Sequence, residues 1–334
     1  MRRLAGLSQL LAPVLLLALV GLAGSFTSRS VQFQFRFALV MATIVIALYV
    51  FVGNSGVVSF GHVSFAAVGG FAAGLTTVPE ALKLSLSPDL FPVIASAEVG
   101  NAMSLVLAAA VGGVYAFLVG VPLMRLSGLA AGIATFAVLV ITNNVLRNWE
   151  AIGPGARTLS LVPESTDFAQ ATVGVIAVAV LAFLYQRSRW GRVLRASSED
   201  PFAAQGSGVN IYRQRLVAFT LSGALAGFAG GLLVHLLGSI TTQQVYLDLA
   251  FLTLAMLVIG GVGSLWGAVV GALLVSGVNS LLLTAERGID LGFAEVTVPT
   301  GTRLVTLGAV MALIMLFRPA GVTGGREIGL PRLG

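Results

Sequence analysis

Residues 36 to 52 read RFALVMATIVIALYVFV, an apolar run in which Arg36 is the only charged residue. A helix of about 20 such residues crosses the ~30 Å hydrocarbon core of a bilayer. Comparable runs recur along the chain and give ten candidate spans, at about 8–26, 36–52, 57–76, 102–124, 127–146, 171–187, 215–237, 246–262, 266–284 and 302–317. The sequence therefore predicts an all-α, polytopic helical membrane protein.

The composition supports one membrane domain over residues 1–334. Hydrophobic residues make up 57% of the chain and charged residues 10%, whereas an ordinary soluble domain carries about 25% charged residues. The absence of cysteine excludes disulfides and thiolate metal sites. A net charge of +6 suggests nucleic acid binding in a soluble protein, but here the basic residues lie in short loops between apolar runs. We expect no nucleic acid partner.

Charge also predicts the orientation in the membrane. If the N-terminus lies in the cytoplasm and the ten spans alternate, twelve basic residues face the cytoplasm with only Glu199, Asp200 and Glu327, a net charge of +9. These are Arg2, Arg3, Arg125, Arg187, Arg189, Arg192, Arg195, Arg213, Arg215, Arg318, Arg326 and Arg332. The outer face nets −3. This agrees with the positive-inside rule and predicts that both termini are cytoplasmic.

Two outer loops, 77–101 and 147–170, are the longest pieces outside the spans on that face, and they contain five prolines. We expect folded caps with short helices at most. The third span is interrupted at its start by small and polar residues that end at His62. Such an interruption is typical of a broken or re-entrant segment packed inside protein.

The charged residues of the chain indicate which source of energy it could use. The only lysine, Lys83, lies in an outer loop, so the chain lacks the lysine of a Walker-type ATP site. Ion-driven carriers usually bury carboxylates in their spans, but here every acidic residue falls in a loop or at a span end, Asp248 lying deepest. These features favour a transport subunit, not an enzyme, that is driven by a separate ATPase. No catalytic residue and no metal site are predicted.

Small and polar residues within the spans suggest packing faces and a substrate path. Two columns with a spacing of four residues, Gly223, Gly227 and Gly231 and then Gly263, Gly267 and Gly271, predict close approach of helices. Asn143, Asn144 and Asn279 are candidates for the substrate path, although such amides also join helices. His62 reads as a hydrogen-bonded structural residue, with a proton relay as the alternative. His235 reads as a residue facing a docking protein, water or headgroups.

The cytoplasmic loop at 188–214 is too long for a tight turn and contains RWGRVLRASSEDPFAA. Ser198 or Asp200 is a suitable N-cap for a short helix over 202–206, with Pro201 at its first position. Such a helix below the membrane is a docking element for a partner. The alternative is a basic stretch held by anionic lipid headgroups.

This loop resembles that of the M-type permease of branched-chain amino acid ABC importers. The family pattern is matched by Gly191, Arg192, Leu194, Arg195, Ala196, Glu199, Asp200, Ala203, Ala204, Gly208 and Asn210, while Ser197 and Ser198 replace a larger pair. The stretches 56–65 (GVVSFGHVSF), 259–271 (IGGVGSLWGAVVG) and 317–321 (FRPAG) are similar to three further family motifs in the same order, with Ala268 in place of a usual proline.

The resemblance implies a permease subunit of an ATP-driven importer in the inner membrane of a bacterium. It implies a homologous second permease, two cytoplasmic ATPase subunits that carry ATP and Mg²⁺, and an extracytoplasmic binding protein, beside membrane lipid. The residues implied to couple to the ATPase are Gly191, Arg192, Arg195, Glu199, Asp200, Ala203, Ala204 and Gly208. Branched-chain amino acids are the expected substrate. The alternatives are a urea or short-amide importer, a stand-alone small-solute channel and, least favoured, an intramembrane enzyme.

Overall fold

The computed structural model describes residues 2–286, 289–290, 295–296, 299, 301–318, 320–325 and 327. The helices are α1 (Arg2–Ser25), α2 (Arg29–Ser55), α3 (His62–Thr77), α4 (Glu80–Leu86), α5 (Pro92–Ser96), α6 (Asn101–Leu123), α7 (Gly128–Asn148), α8 (Phe168–Arg187), α9 (Arg189–Glu199), α10 (Pro201–Gly206), α11 (Ile211–Leu237), α12 (Leu247–Gly260), α13 (Leu265–Glu286) and α14 (Thr302–Phe317). A 3-10 helix (Glu150–Ile152) and an antiparallel pair of two-residue strands, β1 (Ile289–Asp290) and β2 (Glu295–Val296), complete these elements. Pro319, Arg326 and Arg332 lie outside the described residues.

Each of the ten predicted spans coincides with one of these helices. Within the described residues, six helices are long and apolar enough to cross a membrane, namely α2, α6, α7, α8, α11 and α13, and the shorter apolar helices are 9–25 and 247–260. The all-helical prediction is therefore confirmed. The count of ten spans and the cytoplasmic location of both termini remain predictions.

Helix α2 is the centre of the bundle. It packs on α1, α8, α11, α12 and α13, and every residue from Leu39 to Val52 is at most 2% exposed. Ser222 on α11 donates a hydrogen bond to the backbone carbonyl of Ala47 at 2.6 Å, which ties the two helices inside an apolar environment. A helix that is apolar on all sides is expected at such a buried position.

Helices α3, α6 and α11 approach one another through their glycines. A Cβ added at Gly227 would collide with the carbonyl of Ala108 on α6, and one added at Gly231 would lie 2.9 Å from Leu105. Gly223 has equally little space against Ala116. The predicted column on α11 thus faces α6, where lipid offers no hydrophobic drive for association and close packing must supply the attraction.

A second close contact joins α12 to α13, and it corrects one prediction. Added Cβ atoms at Gly267 and Gly271 would contact the backbone of α12 around Gly260. Gly263, however, lies in the turn between the two helices, because α12 ends at Gly260 and is followed by Gly261, whose φ is +119°. It therefore cannot share a helix face with Gly267, and Gly260 is the third close-packed glycine of this contact.

The predicted interruption before α3 is confirmed, and it moves the start of that helix. Gly56, with φ +68°, ends α2, and α3 begins only at His62 instead of residue 57. The loop that follows α3 contains α4 and α5, where Lys83 donates hydrogen bonds to the carbonyls of Ile94 and Ala97. Burial lowers the pKa of Lys83, with Glu98 and Glu80 acting in the opposite direction.

Candidate functional site

The connection between α8 and α11 is a folded element made of α9 and α10. The Ser188 hydroxyl accepts a hydrogen bond from the N–H of Gly191 at the start of α9. The Asp200 carboxylate accepts from the N–H groups of Phe202 and Ala203, both at 3.0 Å, at the start of α10. The predicted helix over 202–206 is therefore confirmed, with Asp200 as its cap. Helix α9 was not predicted.

Helix α9 rests on the end of α8. Its buried residues are Gly191, Leu194 and Ser197, one turn apart on the same face. A Cβ added at Gly191 would collide with the backbone carbonyl of Tyr185, so no other residue allows this contact without displacement. The glycine in the family-like pattern thus positions α9 against the bundle.

Arg195 connects α9 to the interior. Its Nη2 donates to the hydroxyl of Tyr49 and to Oδ1 of Asn54, both at 2.9 Å, and the Tyr49 hydroxyl donates to Oε1 of Gln186 at 2.6 Å. The Arg195 side chain therefore points toward the end of α2 and away from any docking partner. Tyr49 is the one hydroxylated aromatic residue in the apolar run 36–52, which indicates a buried hydrogen bond at this position. The sequence does not indicate which residues bond to it.

Helix α10 projects from the molecule. Phe202 is 85% exposed, and Ala203, Glu199, Asp200 and Gly208 are also exposed, whereas Ala204 is half-buried. Gly208, with φ +78°, ends the element. A short capped helix that presents an aromatic side chain to its surroundings is a suitable anchor for a groove on another protein. Of the coupling residues predicted here, Gly191 and Arg195 face the bundle, and the rest lie at or near this exposed surface.

The predicted path asparagines are not brought together. The Asn143 amide donates to the carbonyl of Thr242 at 2.9 Å, and Asn144 is exposed on the neighbouring face of α7, donating to the carbonyl of Val140. Asn279 is half-buried on α13, which packs on α12, α2 and α14, whereas α7 packs on α3 and α6. Asn143 therefore joins two segments, whereas Asn144 is exposed on the face of α7.

The exposed face of α7 carries two cavities. The first, of about 540 Å³, lies against the 56–60 turn and is lined by apolar residues that include Phe60, Leu129 and Ile133. Leu129 is 81% exposed and Ile133 62% exposed. The second, of about 430 Å³, is lined by Ile141, Asn144, Val145, Asn148 and Trp149 at the other end of the helix. Asn144 at the end of this face was among the residues predicted for the substrate path. The aliphatic residues beside it were not, because α7 reads as uniformly apolar.

Both histidines are buried. The Nδ1 atom of His62 lies 2.8 Å from the Ser59 hydroxyl, and its ring packs among phenylalanines. His235 is 0% exposed, with Nε2 at 2.9 Å from Ser104 Oγ and Nδ1 at 3.1 Å from the Pro163 carbonyl. The prediction that His235 faces outward is therefore wrong, because α6 and the 163–166 segment cover it. Among the described residues, no group of three or more His, Asp or Glu side chains could hold a metal ion.

A family model and several known proteins are similar to this chain in sequence. A family described as "Branched-chain amino acid transport system / permease component" matches residues 30–316. The high-affinity branched-chain amino acid transport system permease protein LivM of Salmonella typhimurium is 26% identical in an alignment 311 positions long, which covers 83% of this chain and 66% of that protein. The fructose import permease protein FrcC of Rhizobium meliloti is 36% identical over 114 residues, 33% of this chain and 31% of that protein. The alignment thus spans just under two thirds of LivM and about a third of FrcC. No solved structure matches significantly.

Proposed function

Since this chain belongs to the family of branched-chain amino acid transport system permease components, we propose that it forms one permease subunit of an ATP-driven importer for branched-chain or closely related amino acids. Its apolar helices make it a multi-pass membrane protein, and its curated relatives are transport permeases. In the proposed importer the chain moves the solute, and hydrolysis takes place elsewhere.

The exposed helix α10 is the observation that carries this proposal. It projects Phe202 from a connection that is otherwise anchored, because Gly191 fits against α8 and Arg195 is bound to the end of α2. A partner that grips α10 would therefore move α9, α8 and α2 together. This is the mechanical requirement for converting closure of an ATPase into movement of the membrane helices.

The partners follow from what the chain itself lacks. Its only lysine is Lys83, in an outer loop, so ATP and Mg²⁺ are proposed to bind two cytoplasmic ATPase subunits. A homologous second permease completes the path, and an extracytoplasmic binding protein delivers the substrate in the inner membrane of a bacterium. Membrane lipid surrounds the exposed leucines on the helices at the periphery of the bundle.

The α7 face supports an amino acid with an aliphatic side chain as the substrate. Its first cavity is lined almost wholly by apolar atoms around Leu129, Ile133 and Phe136, whereas sugar sites need many hydrogen-bonding groups. Asn144 and Asn148 at the end of the helix offer amides to a zwitterionic head group. Because a related permease is named for fructose import, urea, short amides and sugars are the substrates to compare.

The proposal is tested by Phe202→Ala in the chain reconstituted with its partners in vesicles. We expect substrate-stimulated ATP hydrolysis and leucine uptake each to fall about thirtyfold, because a desolvated aromatic anchor contributes at least about 2 kcal/mol to an interface. The matched control is Phe26→Ala, since Phe26 is 82% exposed in the turn between α1 and α2. Phe26→Ala should leave both activities unchanged.

Two results would contradict the proposal. Wild-type coupling in the Phe202→Ala protein would remove α10 as the docking element. ATP-independent flux of leucine or urea through vesicles that hold this chain alone would instead indicate a channel, which needs no partner.

A further inference from the structure

A polar cavity lies where α1, α8 and α9 meet the segment that contains Glu327. Its volume is about 460 Å³, and it is lined by Gln9, Gln186, Arg187, Arg192, Arg195 and Glu327. It is separate from the apolar cavities on α7 and from the exposed surface of α10. Three of its six lining residues carry a guanidinium group, so the cavity is strongly basic.

Among the lining residues of this cavity, Glu327 is the one acidic residue, against three arginines. The Glu327 carboxylate accepts hydrogen bonds from the N–H groups of Leu265 and Trp266, at 2.8 and 3.3 Å, and so caps the start of α13. Within the part of the chain that the structure describes, none of the three arginines forms an ion pair with a carboxylate. Three cations held around one space repel one another, and an anion placed between them would remove that cost.

The cavity also retains unused hydrogen-bond donors. Arg187 uses Nη2 on the Gln9 side chain, at 2.8 Å, and Arg195 uses Nη2 on Tyr49 and Asn54. Within the described residues, the Nη1 atoms of Arg187 and Arg195 are not used by these hydrogen bonds, and Arg192 is exposed. Forked N–H groups of arginine fit the oxygens of a phosphate group in a bidentate manner.

We propose that this cavity binds a phosphate group, held between Arg187, Arg192 and Arg195. The phosphodiester of an anionic phospholipid is one source, because α1 exposes Leu11 and α8 exposes Leu184 close to the cavity, where acyl chains can lie against both helices. Basic pockets at the cytoplasmic ends of membrane helices bind such headgroups. A soluble phosphate compound is the other source of the same chemistry.

Occupancy of this site would restrain α9. A phosphate bridging Arg187 of α8 and Arg192 of α9 holds the two helices at a fixed distance, and Arg195 extends the same network to the end of α2. The site would therefore stiffen the base of the docking element. It does not depend on the importer assignment, since it is defined by this chain's residues alone.

The test measures lipid retention by the full-length chain, without substrate or ATP. The chain is taken from nanodiscs of equal phosphatidylglycerol and phosphatidylcholine, and bound lipid is counted by native mass spectrometry. We expect the affinity of the chain for phosphatidylglycerol to be about fivefold lower in Arg187→Gln and in Arg192→Gln, and about thirtyfold lower in the double variant. Arg189→Gln, an exposed arginine of α9 outside the cavity, is the matched control and should behave as wild type.

A second arm separates the two sources. Inorganic phosphate is titrated calorimetrically onto the chain in nanodiscs of phosphatidylcholine alone. Phosphate binding that is lost in the double variant, without selective retention of phosphatidylglycerol, would identify a soluble ligand. Equal retention by wild type and the double variant, with no phosphate binding, would overturn the proposal. An equal loss in Arg189→Gln would also overturn it, because it would indicate diffuse surface charge instead of a site.

Discussion

Arg195 is the residue through which the docking element contacts the centre of the bundle. Its guanidinium binds the side chains of Tyr49 and Asn54 on α2, and both of those side chains are buried. A charge-assisted hydrogen bond to a buried group contributes about 1.5–3 kcal/mol, and the group left behind bears the desolvation cost when the bond is removed. Arg195 is thus a positioning residue, acting through α9 and α2.

Replacing Arg195 with glutamine should uncouple hydrolysis from transport. We expect leucine uptake per ATP hydrolysed to fall in reconstituted vesicles, while ATP hydrolysis continues, because α10 would still dock but α9 would no longer pull on α2. The free energy of unfolding should also fall by about 1–3 kcal/mol. Arg189→Gln, on the exposed side of the same helix, is the control. An unchanged ratio of uptake to hydrolysis would contradict this role.

At the same scale, His235 and Asn279 show why side-chain environments could not be predicted. His235 stands near the end of an apolar run, where exposure is the common outcome, but Ser104 and Pro163 approach it from segments 131 and 72 residues away in the chain. Asn144 and Asn279 both lie within apolar runs, so their local sequence does not distinguish them, although they lie on helices with different neighbours. Only tertiary packing decides such cases.

At the scale of the element, local chemistry predicted α10 but not α9. Asp200 followed by Pro201 is a strong signal for a helix start, and both residues take those positions. Helix α9 carries three arginines in its eleven residues, which read as a basic lipid-facing stretch. Its position depends on the fit of Gly191 against α8, a contact between segments that no local pattern contains.

The glycine face of α11 gives an element-scale prediction on stability. In Gly227→Ala the new methyl group would collide with the Ala108 carbonyl and lie 3.0 Å from the Cα of Gly112. Overpacking of this kind costs about 1–3 kcal/mol, so the thermal midpoint of the solubilised chain should fall. Gly277→Ala is the matched control, because a Cβ there meets nothing within 4 Å and gains helix propensity. Equal midpoints for both variants would contradict the close packing.

Helix α7 carries a prediction about the substrate path. Tryptophan in place of Ile133 would fill part of the first α7 cavity, and leucine uptake should fall by about tenfold, in line with a steric cost of 1–3 kcal/mol. The control is Val173→Trp, since Val173 is 67% exposed on α8. Uptake should be measured at equal amounts of assembled protein. If Ile133→Trp transports as wild type, the α7 face is not the path.

At the scale of the whole molecule, the sequence predicted the set of helices well and their arrangement poorly. Hydrophobic runs located ten of the helices, because apolar stretches of the length that a bilayer requires stand out in a sequence. They could not show that α2 is the most enclosed, with fourteen successive residues at most 2% exposed, since lipid-facing and protein-facing helices are similarly apolar. The order of packing is set by small residues such as Gly227 and Gly260, whose partners lie on other helices.

The orientation of the molecule is the last prediction, and it follows from charge and parity. Ser85 lies on α4 and Ser207 directly after α10, and both are exposed. Between them lie α6, α7 and α8, each of which is long and apolar enough to cross a membrane. If all three cross, an odd number, the two positions face opposite sides of the membrane. The positive-inside rule places the arginine-rich side, and therefore Ser207, in the cytoplasm.

The chain contains no cysteine, so a single introduced thiol can be labelled without background. With a membrane-impermeant thiol reagent, we expect Ser207→Cys to react in inside-out vesicles and not in intact spheroplasts, and Ser85→Cys to show the reverse. Each variant is the control for the other, because both replace an exposed serine. Labelling of both from one side would contradict the three crossings. The opposite pattern would place α10 outside the cell, where no ATPase could grip it, and the coupling proposal would then fail with the topology.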